Sequence, residues 1–466
     1  MLRNSISRNP STDPILLGAV KRLPIQLPTL TGSAAAQHAR EIAGEIRRRG
    51  FVCYMVGGAV RDALLGRTPE DVDLATSALP EDLAKIFPEW KNVGAAFGVS
   101  MVGETEIATF RQERVYLDGR HPEQIRYTRD YREDAIRRDF TVNALYYDPF
   151  AEELLDPCGG MADLQRGVIR AVGNAEERFR EDALRMLRAV RFAAGTGFAL
   201  AQETAAAIRT LAGNCKVLAA ERVRSEVEKI LLGNDPARGM EQLADLGLLE
   251  VLLPEVAAMR GVTQPPQFHP EGDVWQHTVL MLRHMRDADA PLAWSVLLHD
   301  VGKPVTRSVE ANGRIRFFNH ETVGSTMAGE ILYRLHASRD LIHQVVEAVR
   351  SHMSFVHLDR MRPATLRRIL GDPLLPLKME LVRLDCISCH GLMDDYCFLL
   401  DELAARAGAV RMPDPLLRGR DLIAAGYLPG PEFSRWLAKA YELQLSGAVT
   451  TAEEALAAVR LWADLK

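Results

Sequence analysis

Residues 56–77 read VGGAVRDALLGRTPEDVDLATS. The apolar run FVCYMV (51–56) enters this stretch as a buried strand. Gly57-Gly58 lets the backbone turn tightly and present its N–H groups, and AVRDALLG then reads as a short helix. VDLAT reads as a second strand, so Asp71 and Asp73, two apart, face the same side. Two carboxylates buried together would be costly, so this pair calls for a cation. A turn suited to phosphate beside same-facing carboxylates is what metal-dependent phosphoryl chemistry requires, because hard oxygen ligands hold Mg²⁺. Arg61, on the first turn of the helix, is placed to reach a phosphate. A third carboxylate is expected: Glu106 precedes IATF on a strand, with Glu104 and Glu113 as rivals.

The chain of 466 residues is too long for one core, and three or four domains are expected. Its 47% hydrophobic and 26% charged residues are ordinary globular composition. The net charge of −5 neither favours nor excludes nucleic acid, since a basic cleft can hide in an acidic average. Six scattered cysteines outline no disulfide framework, which points to a reducing, cytoplasmic location. No apolar run reaches the length of a membrane span.

Residues 1–32 read as a flexible N-terminal tail and 33–155 as a mixed α/β head. From about residue 175 the pattern turns almost wholly helical, with EERFREDALRMLRAVRFAAGTG read as one helix. A helical stretch over 156–262 ends at the Pro-rich TQPPQFHPEGD (263–273). Residues 263–405 form a second helical unit, and ten of the twelve histidines lie in 269–390. Residues 406–466 form a C-terminal helical region. The expected class is α+β: a mixed α/β head followed by all-α domains.

VGGAVRDALLGRTPEDVDLATS resembles the head motif of the family of class II CCA-adding tRNA nucleotidyltransferases and bacterial poly(A) polymerases. In order behind it, DGRHPEQI (118–125) resembles that family's flexible loop and RRDFTVNAL (137–145) its second motif. DPCGGMADLQRGVIRAVG (156–173) resembles the approach to its neck, REDALRMLRAVRFAA (180–194) its nucleotide-selecting helix, and ERVRSEVEKIL (221–231) the motif that follows. The resemblance implies a polymerase-β-like sheet, Mg²⁺ on Asp71 and Asp73, Glu106 as third carboxylate, and Gly57, Gly58 and Arg61 around the nucleotide. It implies ribose and triphosphate contacts from Arg137, Arg138 and Asn143, and places base reading on Asp182 and Arg185. Chemistry supports that assignment: cytosine and adenine both offer an amino donor beside a ring-nitrogen acceptor. An acceptor-only aspartate next to a donor-only arginine fits C and A and rejects U and G. Arg188 and Arg191 would brace the pair or touch phosphate. The implied substrates are the 3′ acceptor end of tRNA, CTP and ATP. Poly(A) addition and A-only addition are the alternatives within the family.

His277 lies in VWQHTVLMLRHM, His299-Asp300 in LLHDVGKP, and Asp385 in LVRLDCISCHG. This set resembles the HD phosphohydrolase superfamily over roughly 270–390. It implies a divalent metal on His277, His299, Asp300 and Asp385, with His320 and His352 available for a second one. Mixed imidazole and carboxylate ligation suits Mn²⁺, Ni²⁺, Fe²⁺ or Mg²⁺. An HD phosphohydrolase with a head that only binds RNA is the alternative of another class; the intact Asp71 and Asp73 speak against it. Cys386-Ile-Ser-Cys389-His390 has the spacing of covalent haem attachment, but that chemistry accompanies export and no haem is expected.

Overall fold

One sheet of eight strands organises the first half of the chain. Its spatial order is β1 (Lys21–Pro24), β10 (Glu153–Asp156), β9 (Tyr146–Asp148), β2 (Cys53–Val56), β3 (Asp73–Thr76), β6 (Thr105–Thr109), β5 (Val99–Val102) and β4 (Lys91–Gly94). Only the β3–β6 pair is parallel; the other neighbours run antiparallel. A computed structural model describes residues 21–94, 98–116, 122–405 and 412–463.

The chain divides into two compact units, Met1–Leu252 and Leu253–Lys466. In the first, the helix Ala34–Arg48 starts at a Ser33 cap and lays Ala36, Ala39, Ile42, Ala43 and Ile46 on the sheet. This i, i+3, i+4, i+7 spacing makes one apolar stripe. Met55, Leu74 and Ile107 come up from the sheet to meet it. Residues 21–32, expected to be part of a loose tail, instead supply β1 and the short helix Pro28–Thr31, and Leu27 and Leu30 join this core.

Two helices, Ala175–Glu181 and Leu184–Thr196, occupy the stretch read as one. The break falls on Asp182, whose backbone is extended (φ −145°, ψ 105°). Its carboxylate accepts a hydrogen bond from the N–H of Leu184, so it caps the second helix instead of lying within it.

In the second unit the helix Ala290–Leu298 has no polar face: every residue from Leu292 to Leu298 is buried. Such a helix is central to its domain. It is packed by Val274–His284, Arg339–Ser351 and Leu375–Ser388. Its C-terminus delivers His299 and Asp300 into the interior. An all-α domain is expected here, yet Arg307–Val309 (β13) and Ile315–Phe317 (β14) form an antiparallel hairpin; the first unit has two further two-stranded pairs, β7 (Arg111–Tyr116) with β8 (Pro122–Tyr127) and β11 (Val168–Ile169) with β12 (Ala199–Leu200). Among the described residues no helix is long and apolar enough to cross a membrane. All six cysteines are free.

Gly302, in the turn after Asp300, touches the helix His320–Arg334: a Cβ there would stand 2.3 Å from the carbonyl oxygen of His320 and 2.7 Å from the nitrogen of Gly324. Neither backbone atom can step aside. Gly302→Ala is expected to destabilise this unit by about 1–3 kcal/mol, read as a lower Tm.

Candidate active site and metal centre

The parallel register pairs Leu74 with Ile107, so Asp73 and Glu106, one residue earlier on each strand, are neighbours on the sheet. Val72 is buried between exposed Asp71 and half-buried Asp73, the alternation expected of an extended chain. Val56 pairs with Asp73, which puts the Gly57-Gly58 turn beside the carboxylates. Gly57 sits at φ +73°, a conformation that side chains other than glycine's disfavour. Burial, then the charges of Glu106 and Asp71, push the Asp73 carboxyl up to about 6. Burial and Asp71 likewise raise Glu106. This crowding of like charges fits a cation site. The side chain of Glu113 lies outside what is described; Glu104 is exposed in the turn before β6, on a residue next but one to Glu106.

Arg138 is the guanidinium at the turn. Its Nη1 lies 3.7 Å from where a Gly57 Cβ would be, and its charge works on Asp73. Asp134, fully buried, accepts from Arg137 Nε (2.8 Å), Arg138 Nη2 (3.3 Å) and the Tyr146 hydroxyl (2.7 Å). Arg61 departs from expectation. It is buried, donating to Asn143 Oδ1 (2.7 Å) and to both oxygens of Asp62 (2.9 Å each), and it stacks on Phe192. Asn143 donates in turn to Asp139, which also receives Arg188 at 2.8 and 2.6 Å. Arg191 pairs with Glu226 at 2.7 Å.

The side chains of the two base-reading candidates engage other groups, while the Arg185 N–H donates to the Asp182 carbonyl (3.1 Å). Asp182 Oδ2 accepts from Arg222 Nη2 at 2.8 Å, while Arg185 donates to Glu181 (2.6 Å) and to the carbonyls of Arg178 and Arg137. Arg188 pairs with Asp139 and Arg191 with Glu226, and the charge of Asp182 also acts on Arg188. The residues that sequence reasoning missed are Arg222, Glu226 and Asp134. Each sits inside a quoted or flanking helical run, where nothing marks one charge as inward. Residues 118–121 of the expected flexible loop lie outside the described residues.

In the second unit, Nδ1 of His299, His320 and His352 each contacts a backbone carbonyl, of Val296 (2.9 Å), Phe317 (2.9 Å) and Val349 (2.6 Å). His277 Nδ1 contacts Glu271 Oε1 at 2.6 Å. All four partners can only accept, so Nδ1 carries a proton, and in the neutral ring Nε2 presents a lone pair. His277 Nε2 lies 3.1 Å from Asp385 Oδ1, and His299 Nε2 3.2 Å from Asp300 Oδ2. Both nitrogens are buried and neither is aligned for a hydrogen bond. Ligand atoms about 2.1 Å from an octahedral ion stand about 3.0 Å apart, which is this spacing. His320 Nε2 and His352 Nε2 face each other at 3.3 Å, 3.5 and 3.9 Å from Asp300 Oδ1. Two facing lone pairs beside a carboxylate oxygen also fit a cation, so Asp300 offers one oxygen to each of two groups. Burial opposes charge on His277, but the carboxylates of Asp385 and Glu271 push it up to about 9. Burial and the neighbouring His299 hold His352 down at about 4. Glu271 escaped notice in the sequence because it precedes the helix, in the Pro-rich break.

Residues 53–170 match the Poly A polymerase head domain family, 197–260 the probable RNA and SrmB-binding site of polymerase A, and 273–381 the HD domain. The CCA-adding enzyme of Geobacillus stearothermophilus is 47% identical over 216 residues, 46% of this chain and 53% of that protein. That of Geobacillus thermodenitrificans is 39% identical over 275 residues, 58% of this chain and 64% of that protein. The chain thus spans a little over half the length of these curated relatives. A crystal structure of the Bacillus stearothermophilus CCA-adding enzyme in complex with CTP is 26% identical with a TM-score of 0.69, covering 93% of this chain and 100% of that one. A Thermotoga maritima CCA-adding enzyme complexed with tRNA, 21% identical with a TM-score of 0.55 over 92% of this chain and 95% of that one, shares the fold. Residues 53–170 and 197–260 are thus similar to the head and RNA-binding parts of polymerase A proteins and of CCA-adding enzymes, and residues 273–381 match the HD domain.

Proposed function

We propose that this protein adds CCA to the 3′ acceptor end of tRNA from CTP and ATP without a template. The observation that carries the chemistry is the β3–β6 register, which sets Asp73 beside Glu106 at the Gly57 turn. Asp71 and Asp73, with Glu106 behind, would hold Mg²⁺. Bound there, the metal supplies activation of the RNA 3′-hydroxyl and neutralisation of the leaving pyrophosphate. The 3′ oxygen bonds to the α-phosphorus, the α–β bridge breaks, and the hydroxyl proton is released. The chain's own residues orient and neutralise: the Gly57 turn admits the triphosphate closely, Arg138 offsets its charge, and buried Asp134 fixes Arg138. The relatives' names favour CCA over poly(A) or A-only addition. One gel tests it. With tRNA ending before CCA, stepwise C, C, A is expected; long A-tails on an unrelated oligonucleotide would mean poly(A) addition instead.

Selection of C and A would fall to Asp182 and Arg185. Asp182→Ala is expected to reduce discrimination between CTP and UTP by about 10²-fold, because the rejected base no longer faces an unpaired buried acceptor. Arg222→Ala, which releases one Asp182 oxygen, should move kcat/KM ratios the same way by less.

The HD centre is read as a metal-dependent phosphohydrolase, with His277, His299, Asp300 and Asp385 as one ligand set and Asp300, His320 and His352 as a second. Loaded with divalent metal, it supplies an activated water. The hydrolysis would add a water oxygen to phosphorus and break one ester P–O bond, with a proton going to the departing oxygen. Opening of a 2′,3′-cyclic phosphate end to the phosphomonoester, lost in His299→Ala, tests this.

A further inference from the structure

Val56, the last residue of β2, pairs with Asp73 on one side and with Tyr146 on β9 on the other. Residues directly opposite one another on neighbouring strands face the same side of a sheet. Tyr146 therefore stands on the face that carries Asp73, with β2 between them, next to the Gly57 turn. Its side chain is wholly buried. Tyr54, Phe110 and Tyr131 surround its ring, with centroids 6.2, 6.4 and 5.5 Å away. A phenol so enclosed must find its hydrogen-bond partners within the protein.

Both partners are charged. The hydroxyl has one proton, which it donates to Asp134 Oδ2 at 2.7 Å, and it accepts from Arg138 Nε at 3.0 Å. Burial, opposed by Arg138 and reinforced by the Asp134 carboxylate, lifts the phenol well above its ordinary value, so the proton stays in place. The Arg138 Cζ also stands 5.0 Å over the ring. The other hydrogen bonds of this guanidinium are longer: Nη2 to Asp134 Oδ2 and Nη1 to the Asn143 carbonyl, each 3.3 Å. Asp134 is moreover shared, since its Oδ1 takes Arg137. Without the hydroxyl, Arg138 would be held by two long bonds at its tips and could swing about its stem. With it, Nε is fixed, and Nη1 stays at the Gly57 turn with a second N–H to offer a phosphate oxygen.

We infer that Tyr146 is a positioning residue for nucleotide addition: it aims Arg138 Nη1 at the phosphates taken by the Gly57 turn. It touches neither nucleotide nor metal and acts through Arg138. Because the contact is to phosphate, it serves CTP and ATP alike and has no part in choosing between bases. The inference rests on the transferase reading and adds to it a residue that lies outside the motifs of charge.

The test is equilibrium binding to the full chain, with Mg²⁺ and without RNA, so that no turnover occurs. CTP, UTP and inorganic pyrophosphate are titrated into the unmodified protein, Tyr146→Phe, Arg138→Ala and the double variant. Phenylalanine keeps the ring and its packing and removes only the hydroxyl. Tyr146→Phe is expected to weaken CTP and pyrophosphate by the same factor, about tenfold, as for loss of a hydrogen bond to a charged group, with the CTP to UTP ratio unchanged. In the Arg138→Ala background the same substitution should change neither affinity, because the group it positions is gone. Arg138→Lys, which keeps the charge but has no Nε–H for the hydroxyl to hold, should lose as much pyrophosphate affinity as Tyr146→Phe. Unchanged pyrophosphate affinity in Tyr146→Phe or in Arg138→Lys, or an equal loss on Tyr146→Phe with and without Arg138, would overturn the inference alone. No CTP binding by the unmodified protein would overturn the transferase reading, and the role of Tyr146 with it.

Discussion

Asp73→Asn is expected to abolish nucleotide addition while raising the Tm of the metal-free protein. Loss of a carboxylate that neutralises transition-state charge should cost at least ~10³-fold in kcat. The gain in stability follows from the same crowding. Burial, Glu106 and Asp71 lift the Asp73 carboxyl from 3.8 to about 6, so its charged form is penalised in the folded state. A raised carboxylate is favourable to folding below its unfolded value and loses that contribution as pH rises through its folded value. The penalty therefore develops between pH 3.8 and about 6 and is complete at pH 8. Asparagine carries no such charge. In chelator the variant should melt above the unmodified protein at pH 8, and the difference should shrink at pH 5. Saturating Mg²⁺ should reverse the order at pH 8, since only the native site gains from the ion. A folded Asp73→Asn protein that extends RNA at the unmodified rate would remove the basis of the proposed activity.

The contrast between legible and illegible features has a physical pattern. The Gly57-Gly58 turn and the Asp71/Asp73 pair could be read because backbone geometry links them to neighbours in sequence: a glycine between strand and helix, and two acids two apart in a strand. The clustering of His277, His299, Asp300 and Asp385 could be anticipated from LLHDVGKP and the histidine and aspartate that flank it. What could not be read depends on which of many charges turns inward. REDALRMLRAVRF has unbroken helical spacing, yet Asp182 leaves the helix to cap Leu184 and meet Arg222 on another helix. Arg61 carries no mark that its partner is Asn143, 82 positions away. The β13–β14 hairpin escaped because both faces of β13 meet solvent, so no apolar alternation records it. Residues 21–32 join the core through Leu27 and Leu30 only because β10, more than a hundred residues later, offers them an edge.

Asp300→Asn should have the largest effect on the second unit, because one carboxylate faces two groups of ligands. Oδ2 stands with His299 and Oδ1 with His320 and His352. An amide can offer one neutral oxygen, so at least one group loses its anion, and the other keeps a weaker donor. The metal-free protein already shows how strongly this position favours charge. Burial would raise the Asp300 carboxyl, but His299, Lys303 and His320 hold it well below the usual range. Bound Mn²⁺, counted after dialysis in a protein whose head site is silenced by Asp71→Ala, should fall from two ions per chain to one or none. Hydrolysis of a cyclic phosphate end should be lost. His352→Ala separates the two groups: it should remove one ion and leave the other, since His277, His299 and Asp385 are untouched. Nucleotide addition by Asp300→Asn in an otherwise unmodified chain should persist, as the carboxylates for that chemistry lie in the first compact unit. Two ions retained by Asp300→Asn would mean that Asp300 is not shared, and one ion in the unmodified second unit would mean that the facing nitrogens of His320 and His352 hold a proton instead of a metal.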